Sequence, residues 1–460
     1  MITVSIIQKS QLEGTLRLDA EYYQPEYLNL NSKLKSQKSK FLKDLAKNII
    51  CGPFGSAILQ EDYRDAGVPL IRVADLNDWF VGDEDLVFID DFLSQEMKRY
   101  QVISGDIVVS QRGTIAMFSK VTDKFSKWNI SANLISIKKS ENINFDYLLA
   151  FLNSSYGINQ LYRRLSGQVQ PKITTDDVKQ ILVFLPDIER QNEIAEFIQQ
   201  SWKEQEKSKS LYSEAENLLL EELGLKDFKD EDDLSYIVNL SEIKSIHRAD
   251  AEYFQPKYEK IDNILKKFRQ EKLENLSSLI SYGTVPTSPY VEEYGIPYVK
   301  GENLQNCFID YSKLVYLDKE STKKLPRKFY LKKDDIVISQ MGTVGRAGLV
   351  SEKEEGWLFA SFTIRVRLKE DVKSFFNPLF VTLYIQNISR PYYLLRKIAQ
   401  ASVRQNTDLP TIRELKVSIL PKPTQQKIAD LVQKSHEARK KAKQLLEEAK
   451  QKVEKIIEIE

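Results

Sequence analysis

The chain has little of what metal and nucleophile chemistry needs. Its 460 residues include two cysteines, Cys51 and Cys307, and two histidines, His247 and His436. The cysteines lie in different halves without C-x-x-C spacing and read as reduced thiols, not as a disulfide or a zinc site. Neither histidine has the local support a Ser-His-Asp triad requires. No uncharged apolar run approaches the ~18 residues of a membrane-spanning helix. The start, M-I-T-V-S-I-I-Q-K-S, lacks a basic segment followed by a long apolar stretch, so no secretory signal is expected. The net charge of +1 excludes a uniformly basic nucleic-acid coat but not a local basic face. The acidic D-F-K-D-E-D-D (Asp227–Asp233) reads as a solvated linker that offsets positive charge elsewhere.

Catalytic motifs are also missing. There is no G-x-x-x-x-G-K-[ST] phosphate loop. F-N-P-L-F (Phe376–Phe380) lacks the second proline of an amino-methylating Asn-Pro-Pro-aromatic motif and reads as a turn before a helix. S-Q-M-G-T-V-G-R (Ser339–Arg346) reads as a glycine turn. K-E-Q-E-K (Lys203–Lys207) reads as a solvated helix face.

What is present is ordinary globular material, 42% hydrophobic and 29% charged, in a length that suits two to four domains. It is written twice. R-L-D-A-E-Y-Y-Q-P-E-Y (Arg17–Tyr27) returns as R-A-D-A-E-Y-F-Q-P-K-Y (Arg248–Tyr258), with eight of eleven positions identical. G-V-P-L-I-R-V-A-D-L-N (Gly67–Asn77) matches G-I-P-Y-V-K-G-E-N-L-Q (Gly295–Gln305). D-I-V-V-S-Q-R-G-T-I (Asp106–Ile115) matches D-I-V-I-S-Q-M-G-T-V (Asp335–Val344). V-F-L-P-D-I-E-R-Q-N-E-I-A-E-F-I (Val183–Ile198) resembles S-I-L-P-K-P-T-Q-Q-K-I-A-D-L-V (Ser418–Val432). Blocks matching in one order at a nearly constant offset mean duplication.

Each half has one plan. The aromatics of the repeated phrase are expected to pack, and Pro25 and Pro256 to start a helix. I-V-V-S and I-V-I-S have the β-branched content of buried strands, and Gly113 and Gly342 then turn the chain. A long helix closes each half. The first is expected from an N-cap at Asp187 to Gly224, the second from near Thr424 to the C-terminus. The seam of the first is Ile194, Ile198, Trp202, Leu211, Ala215 and Leu218. That of the second is Ile428, Leu431, Ser435, Ala438, Ala442, Leu445, Ala449 and Ile456. Similar stripes favour an antiparallel pair related by pseudo-twofold symmetry, a strut of about 50 Å. Docking of each stripe on its own domain is the alternative. The expected domains are 1–186, 187–228 (helix and linker), 229–420 and 421–460.

DNA reading draws on Arg and Lys for phosphates and on Arg, Asn, Gln, Ser and Thr for base edges. The first half offers Ser56 in G-P-F-G-S, Arg72, then Gln111 and Arg112. It adds Arg163, Arg164, Gln168, Gln170 and Lys172 in Y-R-R-L-S-G-Q-V-Q-P-K. The second offers Thr284 and Ser288 in G-T-V-P-T-S, then Lys300, Gln340, Arg346 and Arg396. Ser402, Arg404, Gln405 and Asn406 follow in A-S-V-R-Q-N-T. The last cluster of each half falls at the same place while its sequence differs, as expected if similar scaffolds read different half-sites.

In order and duplication, these blocks resemble the specificity subunit of type I restriction-modification systems over almost the whole chain. The family's Leu-Pro-Pro-x-x-x-Gln helix start takes the form L-P-D-I-E-R-Q and L-P-K-P-T-Q-Q here, with the second proline absent or shifted. The resemblance implies a mixed α+β chain of two tandem repeats. Each is an α/β target-recognition domain followed by a long helix, and the helices pair as an antiparallel coiled coil. It implies a prokaryotic, cytoplasmic protein with no membrane role, no catalytic residue, and no metal or cofactor of its own. Double-stranded DNA, two methyltransferase subunits and motor-nuclease restriction subunits are the implied partners. S-adenosylmethionine, ATP and Mg²⁺ would belong to those subunits. Competing readings are a restriction enzyme or methyltransferase with a cryptic site, a duplicated scaffold without DNA, and a specificity module of a related defence system.

Overall fold

A computed structural model describes residues 4–7, 19–77, 79–165, 171–229, 235–286, 289–292, 294–398 and 406–459. Two compact units share the chain. One comprises residues 1–204 with 441–460, the other residues 205–440.

In the first unit the expected helix starts at its proline, Pro25–Ser36. The strand Ser39–Phe41 then pairs antiparallel with Leu182–Phe184, which ties the start of the repeat to its end. Between them lie two sheets. The order of one is Asn48–Cys51, Leu134–Lys138, Ile107–Ser110, Phe118–Lys120, Trp79–Phe80; that of the other is Val87–Ile89, Val68–Ile71, Trp128–Ile130, Gln101–Val102. The strand Ile107–Ser110 is buried throughout because it faces two cores. Ile107 and Val109 join the larger one, and Val108 joins the other. Side chains that alternate between two apolar layers require a continuous apolar run.

The second unit repeats this plan. The helix Pro256–Leu265 precedes the strand Gln270–Lys272, which pairs with Lys416–Ser418. One sheet runs Ser277–Tyr282, Thr363–Leu368, Asp335–Ser339, Ala347–Leu349, and the other Tyr290–Val291, Val315–Leu317, Ile296–Val299, Leu358–Phe359. Ile336 and Ile338 face one core and Val337 another. The shared aspartate that opens each block is a buried acceptor. Asp106 receives Ile103 N and Lys139 N, and Asp335 binds Arg367 through two nitrogens at 2.6 and 2.7 Å.

The long helices are Ile188–Glu222 and Lys422–Ile459. Asp187 Oδ1 accepts from Arg190 N at 2.9 Å, and Gly224 has φ +69°, the left-handed cap expected there. The helices pack closely and antiparallel within each unit. In the first, Ser201 Oγ donates to Ala442 O at 3.0 Å. In the second, the Ser208 and Ser435 hydroxyls donate to each other's backbone carbonyl at 2.8 and 2.7 Å. A hydroxyl reaches the opposite backbone only where both helices present small residues.

Ile194, Ile198, Ala215, Ile428, Ala438, Ala442, Leu445 and Ala449 are buried as the periodicity predicts. Trp202, Leu211, Leu218, Leu431 and Ile456 are half-buried. Leu219, Val432 and Ile457 lie deeper than their neighbours Leu218, Leu431 and Ile456. Part of each stripe also enters a domain core: Ile194, Ile198, Ala449, Val453 and Ile457 share a cluster with the sheet of the first unit. Helix pairing and domain docking therefore use one stripe. That shared use moves the deepest positions one residue from a pure helix–helix seam.

Each long helix is joined to the globular part of its own unit by the motif glutamine. Gln191 accepts from Asn144 N at 3.1 Å and donates to Pro186 O at 2.9 Å. Gln425 accepts from Asn377 N at 2.9 Å and donates to Phe375 O and Leu420 O. Asn144 and Asn377 in turn cap the helices Phe145–Asn153 and Pro378–Tyr384. The asparagine of F-N-P-L-F is thus a helix cap, as the turn reading requires.

Candidate nucleic-acid interface

Strand register brings several loops to one edge of each unit. In the first unit, Cys51 lies opposite Ile135, and Ser110 opposite Leu134. Ile71 lies beside Ile130, and the turn Ser131–Asn133 joins the two sheets there. Backbone bonds lock the convergence: Gly52 N to Leu134 O at 2.8 Å, Gln111 N to Asn133 O at 2.8 Å, Ile173 N to Gln111 O at 3.1 Å. The second unit repeats them as Gly283 N to Thr363 O at 3.2 Å, Gln340 N to Phe362 O at 2.9 Å, and Thr407 N to Gln340 O at 3.0 Å. A Cβ on Gly52 would lie 2.2 Å from Ser131 O, and one on Gly283 2.2 Å from Phe359 O. Only glycine permits that approach.

This edge collects many of the residues expected to read DNA. Ser56, Arg112 and Lys172 are exposed around the first convergence, and Asn406 beside the second, where it bridges Met341. Arg72 is half-buried and held by Asp75 at 3.0 and 2.8 Å and by Asp85 O at 2.8 Å; the Asp75 bond raises its already high pKa. Lys300 pairs with Glu302 and lies 5.9 Å from the Tyr290 ring. Gln340 and Arg346 are half-buried. Arg390 Nε donates to Val344 O at 2.9 Å, and burial, then the charge of Arg346, lower the Arg390 pKa. Gln168, Gln170, Ser288, Ser402, Arg404 and Gln405 lie outside the described residues.

Other expected readers face inward. Gln111 is 4% exposed and turns its amide to Cys51 Sγ at 3.3 Å. Thr284 is buried, and its carbonyl accepts the Tyr298 hydroxyl at 2.6 Å. Arg163 is buried against the repeated phrase: its Nε donates to Tyr22 O at 2.8 Å and its guanidinium lies 4.0 Å from the Tyr22 ring. Arg396 makes the equivalent bond to Tyr253 O at 2.8 Å, with the Tyr253 and Tyr258 rings at 4.5 and 4.7 Å. Arg164 sits 3.7 Å from Asp177. Cation–π stacking and a carbonyl acceptor engage Arg163 and Arg396 within their own units. They also give the repeated phrase its job. It fastens the end of the helix that precedes each cluster in the sequence, and Arg248, paired with Asp250, adds a bond to Lys397 O at 2.7 Å.

Residues not singled out in the sequence complete the edge. Phe54 is 88% exposed in G-P-F-G-S, Val285 is exposed in G-T-V-P-T-S, and Asn133 and Phe362 occupy the turn between the sheets. Phe54 and Val285 were legible as apolar residues inside glycine-flanked loops. Asn133 and Phe362 fall between the matching blocks and carry no signal beyond their common offset. The edge offers donors, acceptors and apolar tips, which suits binding. Among the described residues, no group of three or more His, Cys, Asp or Glu could hold a metal ion.

The description "Type I restriction modification DNA specificity domain" matches twice, over residues 33–216 and 265–451. The chain belongs to the type I restriction-modification specificity family. Members of this family are generally non-catalytic. The type I S subunit from M. genitalium is similar at 14% identity, over 90% of this chain and 95% of that one, with a TM-score of 0.45. The HsdS subunit from Thermoanaerobacter tengcongensis is similar at 12% identity, over 91% and 95%, with a TM-score of 0.29. A chain from a structural study of type I complex assembly and conformational transition is 13% identical over 91% and 96%, with a TM-score of 0.30. No curated protein matches. Among the described residues, no helix is long and apolar enough to cross a membrane.

Proposed function

We propose that this chain supplies the DNA specificity of a type I complex and reads a bipartite target. Each repeat reads one half-site through its loop edge. One observation carries this reading: the same loop convergence is built twice on one frame, with different side chains at its tips. Tethered reading makes the second contact intramolecular and raises avidity without new contacts. The paired helices set the spacing of the half-sites and dock two methyltransferase subunits. Those subunits carry S-adenosylmethionine and act on a flipped adenine. Motor-nuclease restriction subunits, with ATP and Mg²⁺, join the same assembly, and this chain does no chemistry itself.

The test is a methylome. The chain is expressed with its neighbouring methyltransferase in a host without DNA methylation, and modified bases are mapped. A split motif with a constant gap, lost when this chain is omitted, is the expected result. A continuous motif, or one unchanged without the chain, overturns the reading. A heptad inserted into both long helices should lengthen the gap, and an unchanged gap would remove the spacing role.

A further inference from the structure

One exposed residue stands at the same backbone corner in each unit. In the first unit it is Asn133, three residues after Ile130, which pairs with Ile71. In the second it is Phe362, three residues after Phe359, which pairs with Val299. Their carbonyls accept from equivalent donors, Gln111 N at 2.8 Å and Gln340 N at 2.9 Å. The corners therefore share this bond and their strand neighbours, while they differ in backbone conformation, Asn133 alone having positive φ, and their side chains share no chemistry. Asn133 is exposed at φ +65°, a conformation that a short polar side chain tolerates. Phe362 is 59% exposed, although its backbone is fixed in the convergence and two large cores lie within the same unit. Exposed Val285 follows the strand Ser277–Tyr282, and exposed Asn406 bridges Met341 just after the strand Asp335–Ser339.

We propose that Asn133 and Phe362 are a half-site-determining pair: Asn133 hydrogen-bonds a base edge in the first half-site, and Phe362 reads a thymine in the second by apolar contact with its 5-methyl group. This rests on the DNA-reading function proposed above. A carboxamide presents a donor and an acceptor, the complement of adenine N7 and N6 in the major groove. A phenyl ring has neither. The group it distinguishes in that groove is the thymine methyl. One frame with an amide at one corner and a ring at the other thus yields two different half-sites.

The experiment uses the whole modification complex in the methylation-free host, with Asn133→Ala, Phe362→Ala and Phe362→Leu. Phe362→Ala should relax one A·T position of the second half-site, by about fourfold in preference for the loss of one methyl contact, and leave the first half-site and the gap intact. Asn133→Ala should relax one position of the first half-site alone. Phe362→Leu keeps an apolar tip and should keep the thymine preference. In binding assays, uracil at the relaxed position should weaken the wild-type complex and leave Phe362→Ala unaffected. The intact half-site in each variant reports correct folding. An unchanged motif, relaxation of both halves, relaxation at a G·C position, or indifference of the wild type to uracil overturns the proposal. Absence of any split motif from the wild type would instead remove the reading on which it rests.

Discussion

Gln425→Ala should loosen the junction between the C-terminal helix and the second recognition domain. The side chain is fully buried and makes three bonds, to Asn377 N at 2.9 Å, Phe375 O at 2.9 Å and Leu420 O at 2.8 Å. Each of the three bonds is worth about 1 kcal/mol net, so the loss is about 3 kcal/mol. At 1.36 kcal/mol per decade, amides of the capped helix Pro378–Tyr384 should exchange about a hundredfold faster by hydrogen–deuterium exchange. Gln191→Ala removes two such bonds and should cost about 2 kcal/mol at Phe145–Asn153. Gln426 is exposed and bonds Asn377 Nδ2 and Asp430, so Gln426→Ala should change exchange by less than about threefold. An effect of Gln425→Ala no larger than that of Gln426→Ala would refute the claim that this glutamine couples helix to domain.

Three further outcomes follow from the structure. His436 stacks on Phe308 at 3.8 Å, and burial, then Arg439, push its pKa down to about 4. The unfolded chain takes up this proton near pH 6.5, so the stability contribution is full above 6.5 and lost as pH falls toward 4. It is on the order of 3 kcal/mol, and His436→Phe should flatten the dependence in denaturant titrations. Cys307 is fully buried with its thiol pushed up to about 12, so a maleimide should label Cys51 in the native protein and Cys307 only after unfolding. Target DNA should slow labelling at Cys51, which sits at the loop convergence. Gly283→Ala, whose Cβ would meet Phe359 O at 2.2 Å, should abolish second-half-site specificity in the methylome and spare the first.

The duplication, both buried strands, both proline-started helices and both long helices were legible because each is written in local pattern. β-branched runs, a proline at the first helical turn and a three-to-four spacing of small and apolar residues need no distant partner to be read. The helix seam was legible only to within one position, because Ile194, Ile198 and Ala449 also serve a sheet core whose residues lie far away in the chain. Gln191 and Gln425 were visible as motif letters, but their bonds to Asn144 and Asn377 were not, since those partners lie 47 and 48 residues away.

The sequence by itself determined that this protein is one frame used twice, closed each time by a helix with a small-residue seam. Tertiary structure alone decided which polar residues of that frame face out. Gln111 and Arg112 are adjacent in the sequence, yet one turns to Cys51 and the other to solvent. Arg163 has the composition of a DNA contact and the position of a packing residue, because Tyr22, 141 residues earlier, folds over it. Whether an arginine is solvated or stacked is set by what other segments bring to it. That is a property of the assembled chain and leaves no trace in local spacing.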